Sequence, residues 1–161
     1  MTMLPRNKVF IFLVSLFMMT LFPSCSKLSN NGPIDGKWFL TSMYSKTNEE
    51  SPHYTEFHNK QEEGIYWIFQ LNLLNIRTMI YAENTLSSDI VARFNVNNQM
   101  LQVGPTYVHF RERDSLLTDP NTTLLEPIGI RGISSTYKIV ELNSNHMILC
   151  SSKDSLVFRK I

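Results

Sequence analysis

The strongest constraint on the fold is a two-residue alternation that keeps returning along the chain. Through Ile65–Leu71 it puts Ile65, Trp67, Phe69 and Leu71 on one face, and through Asp89–Val96 it does the same with Ile90, Ala92, Phe94 and Val96. Successive side chains of a strand point to opposite faces, so each such run offers one side for burial. Further strand-like runs are Gly36–Lys46, Leu74–Tyr81, Thr136–Leu142, His146–Ser151 and Ser155–Ile161, and Met100–Arg113 reads as one more, bent at Gly104-Pro105. Composition agrees: 13 Ile, 8 Val and 12 Thr stand against 2 Ala. Branched side chains suit a pleated surface, whereas Ala is the best helix former.

Turn chemistry separates the runs. Asn97-Asn98 reads as a two-residue hairpin, because Asn tolerates positive φ. Asn143–Asn145 and Ser152–Asp154 supply later turns, and a tight turn is expected near Asn72. Two stretches interrupt the pattern. Thr47–Gly64 is long, polar and rich in Glu, and Asp114–Gly132 is irregular, with Asp119-Pro120 reading as the start of a helical turn or two before Pro127. Eight strands in sequential hairpins predict an all-β, up-and-down antiparallel barrel with at most one or two short helical turns, since closure removes unpaired edges. Such a barrel either packs its interior or holds one small ligand. A two-sheet sandwich satisfies the same periodicity.

The first residues read as an export signal. Arg6 and Lys8 precede the apolar run Val9–Phe22, whose 14 residues would make about 21 Å of helix, short of the ~30 Å hydrocarbon core. The run ends Leu21-Phe22-Pro23-Ser24-Cys25, which resembles a lipobox with Phe22 in the place usually held by Leu. The expected division is therefore a signal peptide over residues 1–24, a lipidated Cys25 with a flexible tether over residues 25–34, and a barrel over residues 35–161. Ser26 stands where Asp would retain a lipoprotein at the inner membrane, so outer-membrane anchoring facing the periplasm is expected. Without residues 1–24 the balance is 13 Lys+Arg against 14 Asp+Glu. That is no footprint for nucleic acid, which needs a basic face.

Gly36-Lys37-Trp38 at the head of the first strand resembles the Gly-x-Trp with which lipocalins open their barrel. Arg159, late on the last strand, is placed like the Arg that lies against the opening Trp in that family. Ser135-Thr136-Tyr137 weakly resembles the family's Thr-Asp-Tyr motif, without its Asp. The strand order from Asp35 to Ile161 is similar to that of small lipocalin-like lipoproteins of Gram-negative bacteria. The resemblance implies a barrel, a Trp38–Arg159 contact at its closed end, and a first loop, Thr47–Gly64, covering the mouth. It also implies binding of a small apolar or amphipathic ligand.

Catalytic signatures are absent. His53, His58, His109 and His146 lack the close spacing of a zinc site, and no nucleophile elbow, phosphate loop or His-Glu-x-x-His occurs. Cys150, inside His146–Cys150, reads as a small buried residue and not as a nucleophile. No enzyme activity, metal or cofactor is expected. Tyr54 and Phe57 are the aromatic anchors of the long first loop, expected to fold over the mouth and line the entrance, with Trp67, Phe69 and Phe94 as the further candidate ligand or gate residues. The competing expectation is a filled barrel serving as an interaction module of the envelope. Asp114-Ser115-Leu116 and Asp154-Ser155-Leu156 resemble an O-glycosylation pattern of some such bacteria.

Overall fold

A computed structural model describes residues 31–48, 50–79, 89–109 and 112–161. Cys25 and the residues expected to form an export signal lie outside the described residues, as do Glu49, Tyr81 and Phe110. The strands among the described residues are β1 (Gly36–Ser45), β2 (Glu56–Asn59), β3 (Ile65–Gln70), β4 (Leu73–Thr78), β5 (Ile90–Asn97), β6 (Met100–His109), β7 (Asp114–Leu116), β8 (Ser135–Leu142), β9 (His146–Cys150) and β10 (Asp154–Lys160). All their pairings are antiparallel.

Eight of these strands form a closed ring in the order β1-β3-β4-β5-β6-β8-β9-β10, with β10 returning to β1 from Trp38↔Lys160 to Ser45↔Asp154. That closure is the expected up-and-down barrel and excludes the sandwich. The inward face carries the alternation read from the sequence as far as Phe69 and Phe94. Leu71 and Val96, expected on the same face, are exposed, because β3 ends at Gln70 and β5 runs out toward its turn. Trp38, Trp67, Tyr137, Phe69 and Phe158 are the inward face's largest fully buried side chains, with Leu40, Leu74, Ile76, Leu101 and Leu149 around them. Burying a Leu, Ile or Phe side chain of this kind contributes roughly 1.5–3 kcal/mol.

Several local expectations are corrected. Thr47–Gly64 is not one open loop, because β2 lies within it and pairs with the outer half of β1, Ser42↔Asn59 to Ser45↔Glu56. The β5–β6 turn falls at Asn98-Gln99, with φ of 48° and 63°, one residue later than expected. β6 runs unbroken through Gly104-Pro105, which face the single residue Arg93 at a bulge in the β5–β6 register. No helix follows Asp119-Pro120. The Asp119 carboxylate instead accepts the Asn121 N–H at 2.9 Å, and the Thr122 hydroxyl takes the Leu124 N–H at 3.3 Å, local bonds that compete with helix formation. A 3-10 turn forms later, at Glu126–Ile128, with Pro127 inside it.

The folded domain also begins before Asp35. A 3-10 turn, Gly32–Ile34, closes one end of the barrel, with Ile34 fully buried and its carbonyl accepting Trp38 Nε1–H at 2.7 Å. The same end carries the β3–β4, β5–β6 and β8–β9 turns. The β9–β10 turn, β2, β7 and the chain from Leu117 to Ser134 lie at the other end.

Candidate functional site

The inward faces of β3, β5, β8 and β10 bring the candidate ligand residues Trp67, Phe69 and Phe94 together with Tyr137 and Phe158. The Trp67 ring lies 5.2 Å from Phe158, 5.9 Å from Tyr137 and 6.1 Å from Phe69, and Phe69 is 5.0 Å from Phe94. Trp67 and Tyr137 also carry polar atoms into this apolar interior, which must be satisfied there. Neither donates to a neighbouring strand. Trp67 Nε1 donates to the Ile128 carbonyl at 3.1 Å, and the Tyr137 hydroxyl donates to the Gly129 carbonyl at 2.5 Å. Burial holds the Tyr137 phenol above its usual pKa.

The acceptors belong to the β7–β8 connection, which turns into the barrel and fills that end. Leu125, Ile128 and Ile130 are buried there as completely as any strand residue. Gly129 has φ of +93°, and a Cβ on it would meet Leu156 Cδ1 at 2.8 Å, so only glycine makes this turn against β10. Directly after the buried segment, Arg131 fixes it to the rim. Its guanidinium makes a two-bond pair with Asp154, Nε–Oδ2 at 2.7 Å and Nη2–Oδ1 at 2.9 Å, and reaches Glu126 at 2.8 Å. Asp154 also accepts the Ser45 hydroxyl at 2.7 Å, so β1, β10 and the inserted segment meet on one carboxylate. Burial works to raise the Asp154 carboxyl, but hydrogen bonds from Arg131 and Ser45 outweigh it and hold it below the usual carboxylate range. The bond to Asp154 raises Arg131 in turn. Outside this latch lies a polar cleft of about 470 Å³ bounded by Pro120–Thr122, Arg131, Ser134–Thr136 and Ser151–Lys153.

Tyr54 and Phe57 do not sit over the mouth. Tyr54 lies along the rim, its hydroxyl donating to the Ser151 carbonyl at 2.8 Å and Lys46 5.4 Å from its ring. Burial and the neighbouring Cys150 push its pKa up to about 12. Phe57 is 59% exposed on the outer face of β2, its ring 5.2 Å from that of Tyr44 and tilted 48° to it. The two are three residues apart in a strand-like stretch, so they point to opposite sides. The segment covering the mouth is the later one, and the sequence holds its signal: Leu124-Leu-Glu-Pro-Ile-Gly-Ile130 is an apolar run within an otherwise polar connection. The latch residues Arg131 and Asp154 carried no such mark.

At the opposite end the expected Trp38–Arg159 contact is replaced. Lys160 pairs with Trp38 in register and sets its Nζ 4.8 Å from the indole ring, while Arg159 is exposed and lies 5.9 Å from Phe39. The Gly36 Cα faces the Lys160 side chain so closely that an added Cβ would come within 2.9 Å of Cε. Ser155 is buried and takes a bond from Cys150 Sγ at 3.3 Å, so its hydroxyl is not on the surface for a sugar. His109 pairs with Asp114 and His146 with Glu141, and no cluster of three metal-ligating side chains occurs among the described residues.

No curated protein shows significant sequence similarity to the chain. Two solved structures share its fold. One is a lipocalin-like protein from Bacteroides uniformis, with a TM-score of 0.54 at 12% identity, covering 81% of this chain and 100% of its own. The other is an uncharacterized protein from Bacteroides eggerthii, with a TM-score of 0.53 at 15% identity, covering 79% and 98%. The sequence matches the lipocalin-like domain over residues 17–161, nine-tenths of its length. The chain belongs to the lipocalin-like domain family.

Proposed function

We propose that this protein is a lipid-anchored, non-enzymatic binding protein of the Gram-negative envelope, held through Cys25 at the outer membrane and facing the periplasm. Its ligand is a small amphipathic molecule that enters the capped end of the barrel in place of Leu125–Ile130. One observation carries this reading. Two inward-facing donors, Trp67 Nε1 and the Tyr137 hydroxyl, are satisfied by consecutive main-chain carbonyls of a connecting segment and by no strand of the barrel wall. A molecule replacing that segment must present acceptors to both, or leave two buried donors unpaired at roughly 1–3 kcal/mol each. A carboxylate or ketone on an apolar body meets that demand. The Leu125, Ile128 and Ile130 side chains act as a built-in occupant that keeps the site covered when the ligand is absent.

The test compares a fluorescent fatty acid with the matching alcohol on the parent and on a Leu125→Ala/Ile128→Ala variant. The variant should bind the acid at least tenfold more tightly than the parent and prefer it to the alcohol. Absence of binding to either protein would remove the carrier reading. Native mass spectrometry of protein from its own host should then show the copurified molecule directly.

A second reading has its own support. Full burial of Leu125, Ile128 and Ile130, together with the Arg131–Asp154 latch, suits a permanently filled barrel that contacts a partner protein through its rim. The same titration separates the two.

A further inference from the structure

The mature chain is almost neutral, yet the fold sorts its charges by end. Around the closed end lie Lys37, Arg159 and Lys160, against Asp35 and Glu141. Arg93 and Lys138 stand midway along β5 and β8, each paired on one side with a residue beside a closed-end turn, Leu73 or Met100. Both of those acids are engaged: Asp35 accepts two bonds from Asn31, and Glu141 pairs with His146 at 3.1 Å. The remaining described residues, toward the capped end, hold ten Asp and Glu against six Lys and Arg.

Apolar side chains are interleaved with the basic ones on the outer surface of this end. In β4 and β5, exposed Leu73 stands opposite Arg93, and in β6 and β8, exposed Met100 stands opposite Lys138. Directly opposed residues of antiparallel strands share a face, so each pair presents a cation beside an apolar group. At the rim, Leu71 is 58% exposed in the β3–β4 turn with φ of +57°. The two-residue turn demands this left-handed conformation, which Gly adopts freely and Asn tolerates better than Leu, and here Leu gains no burial in return. Such an outlier calls for a reason outside the fold.

The chain enters the domain at the same place. The Asn31 side-chain amide donates to the Leu71 carbonyl at 2.5 Å, and Asn31 stands six positions after Cys25. Fully extended, six residues span at most about 20 Å. If Cys25 carries the lipid, this end of the barrel is held against the headgroups and the capped end faces away.

We infer that the closed end of the barrel is a membrane-docking face, which rests on an anionic phospholipid surface with Leu71, Leu73 and Met100 entering the interface and Arg93 and Lys138 meeting the headgroups. This rests on the reading of Cys25 as the anchor, but it is tested without the anchor. Apolar insertion beside basic side chains is the usual chemistry of interfacial binding. It fixes the orientation of a tethered domain and leaves the capped mouth open to the periplasmic space.

The described residues contain the complete ring of strands and its core, so a chain starting at Ser26 folds without lipid. That protein should sediment with vesicles of phosphatidylcholine and phosphatidylglycerol, and not with phosphatidylcholine alone. Arg93→Glu with Lys138→Glu should weaken partitioning at least tenfold. Lys46→Glu with Arg113→Glu, the same charge change at the other end, should leave it within twofold. Leu71→Asn should weaken it severalfold while keeping or raising the melting temperature. Equal effects of the two charge reversals, binding to neutral vesicles alone, or no binding at all would overturn the proposal. A dimer of the parent that Leu71→Asn dissociates would also overturn it and assign the face to a second copy. Failure of the anchor reading is seen separately, as membrane-extracted protein whose mass shows no acyl group on Cys25.

Discussion

The closed end and the capped end of this barrel are both shut, by opposite means. At the closed end the seal is short and local: Ile34 lies four residues before Trp38, and a single indole-to-carbonyl bond joins them. Two further bonds hold that short turn to the rest of the barrel, from Lys160 Nζ to the Pro33 carbonyl and from Asn31 Nδ2 to the Leu71 carbonyl. At the capped end the seal comes from a long connection. It is tied down by hydrogen bonds from Trp67 and Tyr137 and by an ion pair whose partners, Arg131 and Asp154, are 23 residues apart. A seal made by a distant segment carries the entropy of ordering that segment and can open while the ring of strands stays intact. The capped end thus depends on a segment remote in sequence, whereas the closed end is sealed mainly by residues next to β1.

The largest expected effect lies at the permanent end. Trp38→Ala removes a fully buried indole and should cost about 3–5 kcal/mol, enough to unfold a marginal domain. Phe57→Ala, on the outer face beside the capped end, should stay within about 0.5 kcal/mol. Urea unfolding of the two variants measures the contrast. A Phe57→Ala loss as large as that of Trp38→Ala would show that β2 is part of the core.

The latch gives the next effect, and it has a pH signature. Asp154→Asn keeps the shape but breaks the buried pair with Arg131 and should cost roughly 1–3 kcal/mol at neutral pH. The folded carboxyl is held below its unfolded value, so its contribution is fully present above about pH 4 and is lost as pH falls through the lower folded value. The stability gap between parent and variant should therefore shrink on acidification below about pH 4. A gap that stays constant or widens would mean that the Asp154 charge does not hold the segment.

The barrel itself was readable from the sequence because its physics is periodic. Ile65–Phe69 and Ile90–Phe94 alternate, and a strand buried on one face leaves that imprint wherever it occurs. The candidate site was not, because the groups that build it are far apart and individually ordinary. Trp67 and Tyr137 read as core aromatics, and nothing local shows that their polar atoms need the carbonyls of residues 128 and 129. The first loop drew attention through its length and its aromatics, yet backbone pairing turned it into β2 and faced Phe57 outward. The apolar run Leu124–Ile130 was the better sign, since an apolar stretch in a connection has to be buried somewhere.

Gly129→Ala acts on the capped end alone. The added methyl meets Leu156 and the positive φ disfavours any Cβ, so the inserted turn should loosen at a cost of roughly 1–2 kcal/mol. Trp67 emission should shift to longer wavelength as its indole loses the Ile128 carbonyl and gains water. Hydrogen exchange should accelerate at residues 125–130 and stay unchanged at Trp38. Equal acceleration at both ends would show that the two seals open together, and the contrast between them would fall.

The smallest effect decides which cation supports the closed end. Lys160 lies 4.8 Å from the Trp38 ring centroid and its Nζ donates to the Pro33 carbonyl at 2.8 Å, so it ties the indole to the turn that covers it. Arg159 points to solvent over Phe39 at 5.9 Å, near the outer limit of a useful cation–π contact. Lys160→Met keeps an unbranched apolar stem against Trp38 while removing the charge and the donor, and should cost about 0.5–1.5 kcal/mol. Arg159→Met should cost less than about 0.5 kcal/mol, as an exposed substitution does. The reverse order of losses would return the Trp38 contact to Arg159 and would mean that the last strand is shifted by one residue against β1.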